Sequence, residues 1–323
     1  MPLITSKYNP PFLFKNGHLS TIYSGVFRKI TEVNQKRERI ILPDTDFLDL
    51  DWSFSKSQTQ KVVIILHGLE GNAQRPYISG SAKQFNLNNI DACAVNFRGC
   101  SGEANRLLRS YHSGATEDLE AVIQHILATK KYDEIYLHGF SLGGNLLLKY
   151  LGERQTLPNQ IKGAVAISVP CDLHSSLKQL LEPKNMLYAS RFKKRLIEKL
   201  SAKKQLFPDK ISDTDILKIK HLKDFDDVYT SKAHGFADAV DYYTKASCLP
   251  LLPKIAIPTL IVNSKNDSFL GNECYPYDAA HENEHLFLEI PNYGGHVGFF
   301  GQENISYTEK RAVNFLIEHS LKK

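Results

Sequence analysis

Two six-residue runs, KVVIIL at 61–66 and GAVAIS at 163–168, are almost wholly apolar and do not alternate with polar residues. A strand with one wet face alternates. An unbroken run has both faces covered, which is the position of an inner strand in a parallel sheet with helices on each side. Six further β-rich runs fall at 39–42, 47–52, 91–96, 134–138, 258–262 and 286–290. Helix-length segments at about 76–86, 114–129, 143–154 and 307–320 lie between or after them. The pattern predicts a mostly parallel eight-stranded sheet flanked by helices.

One stretch breaks this rhythm. From 172 to 247 there are only helical and loop patterns, between the sixth and seventh expected strands. We read it as a helical cap inserted over the carboxyl ends of the strands. At 323 residues the chain is long for one average domain, yet a single domain over 1–323 with an inserted cap fits that length. Within the insert Tyr188, Phe192, Leu196 and Leu200 recur every four residues, with Arg and Lys on the other face. A solvated basic face on a cap helix is the plain expectation. Weak peripheral contact with an anionic membrane, or with an acyl substrate, is the alternative.

Charge supports that focus. The net charge is +5, and residues 191–210 hold eight basic and two acidic side chains, so this one segment accounts for the whole excess. Nucleic-acid binding calls for a wider basic stripe and a recognisable module, and is excluded as a partner class. The five cysteines, Cys93, Cys100, Cys171, Cys248 and Cys274, form no C-x-x-C pair and no secreted-scaffold spacing, which predicts free thiols in a reducing compartment. The opening MPLITSKYNPPFLF lacks the basic and apolar regions of a signal peptide, and no apolar run is long enough to span a bilayer. A cytoplasmic protein is therefore expected. No sequence pattern specifies an oligomeric state.

The chemistry concentrates in three loops. Gly139-Phe140-Ser141-Leu142-Gly143 fits G-x-S-x-G, with the strand EIYLH before it and the helix-forming GGNLLLKYLGE after it. A tight strand–Ser–helix turn strains the serine backbone, and glycines on either side remove the Cβ atoms that would collide there. The serine stands at a helix N-terminus, where free amides favour developing negative charge. A serine hydroxyl still needs a base to take its proton, and that base needs an acid to orient it. Asp267, in NSKNDSFL after the strand PTLIV, and His296, in PNYGGHVGFF after LFLEI, follow in the order Ser…Asp…His. For the oxyanion, the amide of Leu142 is one donor by construction. The second is assigned to Leu69, in the loop His67-Gly68-Leu69-Glu70-Gly71. His67 and Glu70 are read as shaping that loop by hydrogen bonds rather than as acid–base groups.

Other signals are set aside. His281-Glu282-Asn283-Glu284-His285 matches the H-E-x-x-H zinc pattern, but it runs straight into a strand, so its histidines would not share a helix face. NFRGCSG lacks the spacing of a dinucleotide fingerprint. Neither a metal nor an organic cofactor is expected.

The segments PPFLFKNGHLSTI, HGLEGN, NFRGCSGEANRLLRSYHSGATEDL, GFSLGGNLLLKYLGE and AVAISVPCDL cover residues 10 to 175, with weaker likeness through IPTLIVNSKNDSF and GGHVGF. Together they resemble the YheT-like α/β-hydrolases, a family of predicted esterases related to eukaryotic medium-chain phospholipases and ethyl-ester synthases/esterases. The resemblance implies the α/β-hydrolase fold and a serine hydrolase with nucleophile, acid and base at Ser141, Asp267 and His296. Two positions depart from the family pattern. Asn266-Asp267-Ser268 stands where Asp-Asp-Pro is usual, and Gly17 replaces a usual Pro, a change expected to loosen a turn without touching the chemistry. Arg98, His112 and Asp118 are expected to form a polar network supporting the oxyanion loop.

The reaction expected is hydrolysis of short- to medium-chain carboxylic esters, small or lipid-like, through an acyl-enzyme. The same residues would serve an acyltransferase or ester synthase in which an alcohol replaces water, and product analysis with added ethanol separates the two. A catalytically idle hydrolase fold acting as a binding module is the rival from another class.

Overall fold

The computed structural model describes residues 3–31 and 33–320. Among the described residues nine strands form one sheet: β1 (Leu3–Ile4), β2 (Lys36–Ile41), β3 (Phe47–Ser53), β4 (Lys61–Leu66), β5 (Asp91–Asn96), β6 (Glu134–Phe140), β7 (Ile161–Ile167), β8 (Thr259–Val262) and β9 (Leu286–Glu289). Their order is β1-β9-β8-β7-β6-β4-β5-β3-β2. All neighbours pair in parallel except β2 with β3 and β3 with β5. The sheet is thus the mostly parallel one expected, but with nine strands rather than eight. The added strand, β1, is two residues long, too short to carry a period, and it exists only because β9 offers a free parallel edge.

Both faces of β4 are covered, as its sequence demands. Val62, Ile64 and Leu66 face one core with Leu119, Val122 and Ile123 of α3 (Thr116–Thr129) and Leu147 of α4 (Leu142–Glu153). Val63 and Ile65 face a second core with Ile78 and Phe85 of α2 (Pro76–Leu87), the α-helix that follows α1 (Gly17–Ile22), and with Phe315 of the helix Tyr307–Ser320. Each such side chain, fully buried, contributes about 1.5–3 kcal/mol. The register keeps the carboxyl ends level: Leu66 pairs with Gly139, Phe140 with Ile167, Ile167 with Val262, and Val262 with Glu289. The loops leaving β4, β6, β7, β8 and β9 therefore meet at one edge, where α/β sheets bind ligands.

Between β7 and β8 the chain is helical, from α5 (Leu173–Leu180) and α6 (Met186–Leu206) to the helix Ala239–Ala246. Leu196 and Leu200 of α6 pack with Leu222, Phe225 and Tyr229 in a cluster separate from the sheet cores. The basic face of α6 is not simply solvated. Lys203 is buried and donates to Asn105 Oδ1 at 2.7 Å and to the Leu107 carbonyl at 2.6 Å. Burial pushes its ammonium down to about 8. Lys199 turns inward too, to Glu70 Oε1 at 2.9 Å. A helical period separates faces but does not say how many faces are covered. All five cysteines are buried and free. No helix among the described residues is long and apolar enough to cross a membrane.

The N-terminal segment is tied to the last helix by a buried ion pair. Arg28 donates to both carboxylate oxygens of Glu309, at 2.6 and 2.8 Å, with side-chain exposures of 5% and 2%. Removing one partner leaves the other charged and enclosed. Arg28→Ala is expected to cost about 3–5 kcal/mol in urea unfolding, and the double change Arg28→Ala/Glu309→Ala less than the sum of the single costs. Additive costs would show that the pair is not coupled.

Candidate active site

Ser141 sits between β6 and α4 at φ 52°, ψ −120°, a left-handed conformation rare for a side chain other than glycine. Two glycines make that turn possible. A Cβ on Gly139 would stand 2.6 Å from the Gly143 carbonyl oxygen, and one on Gly143 would stand 2.6 Å from the His67 carbonyl and 2.7 Å from that of Leu66. The Ser141 amide donates to Ile167 O at 2.8 Å, and Ser141 O accepts from Asn145 N at 3.0 Å, holding both sides of the turn.

The three residues expected from sequence stand in hydrogen-bonding order. Ser141 Oγ lies 2.9 Å from His296 Nε2, and His296 Nδ1 lies 2.8 Å from Asp267 Oδ2. A carboxylate only accepts, so Nδ1 carries the ring proton and Nε2 is free to accept from the serine hydroxyl. Asp267 Oδ1 accepts from the Phe269 amide at 2.9 Å, and the Asp267 side chain has no solvent exposure. The Phe269 ring covers the imidazole, with ring centres 4.3 Å apart. Such a chain can draw a proton from the serine hydroxyl while keeping the imidazole in one tautomer.

Leu142 is the first residue of α4, so its amide has no intrahelical acceptor. Among the described residues the Leu69 amide donates to no protein group either. Gly68 brings the Leu69 loop close, for a Cβ there would lie 3.1 Å from Ser141 Cβ. That loop is braced from within. The buried His67 donates from Nδ1 to Gly68 O at 2.7 Å and accepts at Nε2 from Phe97 N at 3.2 Å; burial pushes its imidazole down to about 3, so it stays neutral. Glu70, at φ 53°, donates its amide to Tyr111 Oη at 3.0 Å, and its carboxylate accepts from Tyr111 at 2.7 Å.

Arg98 and Asp118 do form a buried fork–fork pair, at 2.8 and 2.6 Å, which extends to Asp46 at 3.1 Å. His112 is not part of it. Its Nδ1 accepts from Gly114 N at 3.1 Å, and its ring packs on His234 and Tyr242. The expected three-residue network is therefore two residues plus the β2–β3 turn: Arg98 and His112 share the connection between β5 and α3, but among the described residues no hydrogen bond joins them. The helix Tyr277–Glu282 ends before His285, so His281 and His285 do not share a helix face.

The motif around Gly17 turns out to touch the chemistry. A Cβ on Gly17 would lie 2.4 Å from the Asn266 carbonyl oxygen, and one on Gly295 would lie 2.2 Å from the Gly17 carbonyl oxygen. Asn266 binds both sides: its Oδ1 accepts from Gly295 N at 2.9 Å and its Nδ2 donates to Lys15 O at 2.9 Å. Thr21 Oγ1 accepts from the His296 amide at 2.8 Å. The N-terminal segment thus clamps the Asp267 and His296 loops together. Sequence reading missed this. The one signal available was the distinctive PPFLFKNGHLSTI itself, which carries no chemistry of its own.

A cavity of ≈ 820 Å³ opens beside Ser141. Gly68, Leu69 and His296 line its floor, and Leu173, Leu177, Phe192 and Leu196 come from α5 and α6. Asp226 also lines it, reached from the cavity yet set deep among protein atoms, and accepts from Thr230 Oγ1 and Tyr243 Oη, each at 2.7 Å. Burial pushes this carboxyl up to about 6.

A family model described as alpha/beta hydrolase fold matches residues 61–302. The YheT protein of Escherichia coli (strain K12), which carries an esterase designation, is 33% identical over 92% of this chain and 88% of its own length. Phospholipase ABHD3 of Homo sapiens is 28% identical over 98% of this chain and 81% of its own, and monoacylglycerol lipase ABHD2 of Homo sapiens is 27% identical over 97% and 80%. Among solved structures, the Pyrococcus furiosus esterase Pf2001 superposes with a TM-score of 0.59 at 18% identity, covering 89% of this chain and 93% of that one. At that identity the likeness speaks to fold alone.

Two outcomes follow from this geometry. In an open helix Gly→Ala stabilises by about 1 kcal/mol; Gly143→Ala is expected to destabilise by about 2 kcal/mol or more in urea unfolding, because backbone carbonyls cannot yield. A stabilised variant would refute the close contact. Asp226 holds its proton more tightly folded than unfolded, so its stabilising contribution is full below about 3.8 and is lost as pH rises through about 6. The stability of wild type relative to Asp226→Asn should therefore decline over that interval, and a difference independent of pH would rule this out.

Proposed function

The chain belongs to the alpha/beta hydrolase fold family, and for this esterase/lipase-type hydrolase we propose that Ser141, His296 and Asp267 cleave carboxylic esters through an acyl-enzyme. The observation that carries the reading is the unbroken chain from Ser141 Oγ to His296 Nε2 at 2.9 Å and from His296 Nδ1 to Asp267 at 2.8 Å, built on a strained strand–helix turn.

Ser141 Oγ attacks the ester carbonyl carbon as His296 Nε2 takes the hydroxyl proton. The carbonyl π electrons move to oxygen, and the amides of Leu69 and Leu142 hold that oxyanion. Asp267 stabilises the imidazolium without taking its proton. The tetrahedral intermediate collapses, the alkoxide leaves with the proton returned by His296, and the acyl group stays on Ser141. Water then enters, gives its proton to His296, and attacks the acyl carbonyl; collapse releases the acid and restores the serine. No step needs a metal or an organic cofactor.

We read the helical segment between β7 and β8 as a cap. Leu173, Leu177, Phe192 and Leu196 on the cavity wall support an apolar acyl chain of short to medium length. The relatives named phospholipase and monoacylglycerol lipase support a lipid-like ester.

Labelling by a fluorophosphonate probe tests the nucleophile. Wild type should label, while Ser141→Ala and His296→Ala should not, and both should lose more than about a thousandfold in kcat/KM on a p-nitrophenyl ester. Labelling that survives in a folded Ser141→Ala chain would place the nucleophile elsewhere.

A further inference from the structure

The loop that carries Leu69 is strained at the next residue. Gly71 N donates to Gly68 O at 3.0 Å, closing a turn with Leu69 and Glu70 at its centre. Glu70 takes φ 53° there, a conformation that favours glycine at this place in a turn. A residue held this way persists only where its surroundings over-determine it. Were the turn to relax, the peptides on either side of Leu69 would rotate, and the Leu69 amide is the second oxyanion donor of the proposed reaction.

Among the described residues five hydrogen bonds hold Glu70. Tyr111 Oη accepts from its amide at 3.0 Å and donates to its carboxylate at 2.7 Å. Arg75, at the start of α2, donates to its carbonyl at 3.0 Å. The other two bonds come from α6. Lys199 donates to the carboxylate at 2.9 Å, and Arg195, one turn earlier, donates to the carbonyl at 3.3 Å. The same helix grips the neighbouring residue, since Leu69 packs against the cluster that holds Leu196 and Leu200. The Glu70 side chain is only 3% exposed, so solvent is a poor substitute for a cation taken from it.

We propose that Lys199 and Arg195 are positioning residues for the hydrolysis: acting through Glu70 they aim the Leu69 amide, and the oxyanion hole is complete only with α6 seated on this loop. Small displacements of a preorganised donor are costly, because its bond is strongest at the geometry of the transition state. The proposal rests on the ester-hydrolase reading of the same site, and it gives α6 a part in the chemistry besides lining the cavity.

The test uses the full chain and octylboronic acid, a mimic of the tetrahedral intermediate. Its boron accepts the Ser141 Oγ lone pair, the hydroxyl proton passes to His296 Nε2, and a boronate oxygen takes the oxyanion position. Lys199→Gln should lower kcat/KM on p-nitrophenyl octanoate about tenfold and weaken the boronate about equally. That is less than the hundredfold or so lost with a whole oxyanion donor. Calorimetric binding of the same ester to a Ser141→Ala chain should change less than about twofold when Lys199→Gln is added. Lys199→Arg should recover part of the loss. Lys193→Gln, which removes a bond from α6 to the Lys220 carbonyl, should lose nothing. In a Glu70→Met chain, Lys199→Gln should cost less than about twofold, because its effect runs through the missing carboxylate.

If Lys199→Gln does not fold, Arg195→Gln gives the same readout, since it frees a carbonyl and strands no buried charge. Boronate affinity that either folded variant leaves unchanged would overturn the proposal. Ester binding weakened as much as boronate binding would overturn it too, by making these residues cavity wall alone. A full tenfold cost in the Glu70→Met chain would show that Lys199 does not act through Glu70. Fluorophosphonate labelling of the wild type reports on the hydrolase reading separately, so the two failures are distinct.

Discussion

Gly143 brings the first turn of α4 against the carbonyls of Leu66 and His67, where a Cβ would stand 2.6–2.7 Å from either oxygen. That contact joins the end of β6 to the end of β4, and most of the site depends on it. It fixes the direction in which α4 leaves the sheet, and so forces Ser141 into its positive φ, at a cost of about 1–3 kcal/mol. The cost is met by bonds on both sides of the turn and by Asn145. This buried side chain donates to Ser113 O and Ala246 O and accepts from Cys248 N. The same contact sets the Leu69 loop over Ser141, because Gly68 alone leaves room for the serine side chain.

The other half of the site is held by an element remote in sequence. Asp267 and His296 sit on loops after β8 and β9, and each loop is long enough to wander. They are locked by Gly17, Lys15 and Thr21, which contact Asn266, Gly295 and His296 from the opposite end of the chain. Asn266 takes a bond on each side of its amide, a task a carboxylate could not perform, since Lys15 O needs a donor. The segment that carries these contacts is anchored in turn by the Arg28–Glu309 pair. Catalytic geometry of this kind tolerates little displacement, so distant anchoring has a direct chemical consequence.

Charge in the helical segment is partitioned by depth. Lys203 and Lys199 turn inward: Lys203 satisfies Asn105 and the Leu107 carbonyl and ties α6 to the loop after β5, and Lys199 takes the Glu70 carboxylate and ties α6 to the loop that carries Leu69. Arg195 reaches the same loop through a carbonyl, which leaves its charge unspent at the cavity. A single basic run in the sequence thus supplies both structural cations and cations facing the cavity, and the difference is set by which acceptor each side chain meets.

The unbroken apolar runs at 61–66 and 163–168 determined a layered parallel sheet, since only strands covered on both faces can hold such sequences. The spacing of glycines about Ser141, and the order in which Asp267 and His296 follow the last strands, determined the candidate triad, because a strained turn and a proton relay need those residue types in those places. Local pattern could not show the two-residue edge strand, the separation of His112 from Arg98, the clamp made by the N-terminal segment, or the inward turn of Lys199 and Lys203. Each of those depends on which groups the tertiary fold brings together or keeps apart. A period along one helix or strand records which face a residue occupies. Only the packed structure decides what that face meets.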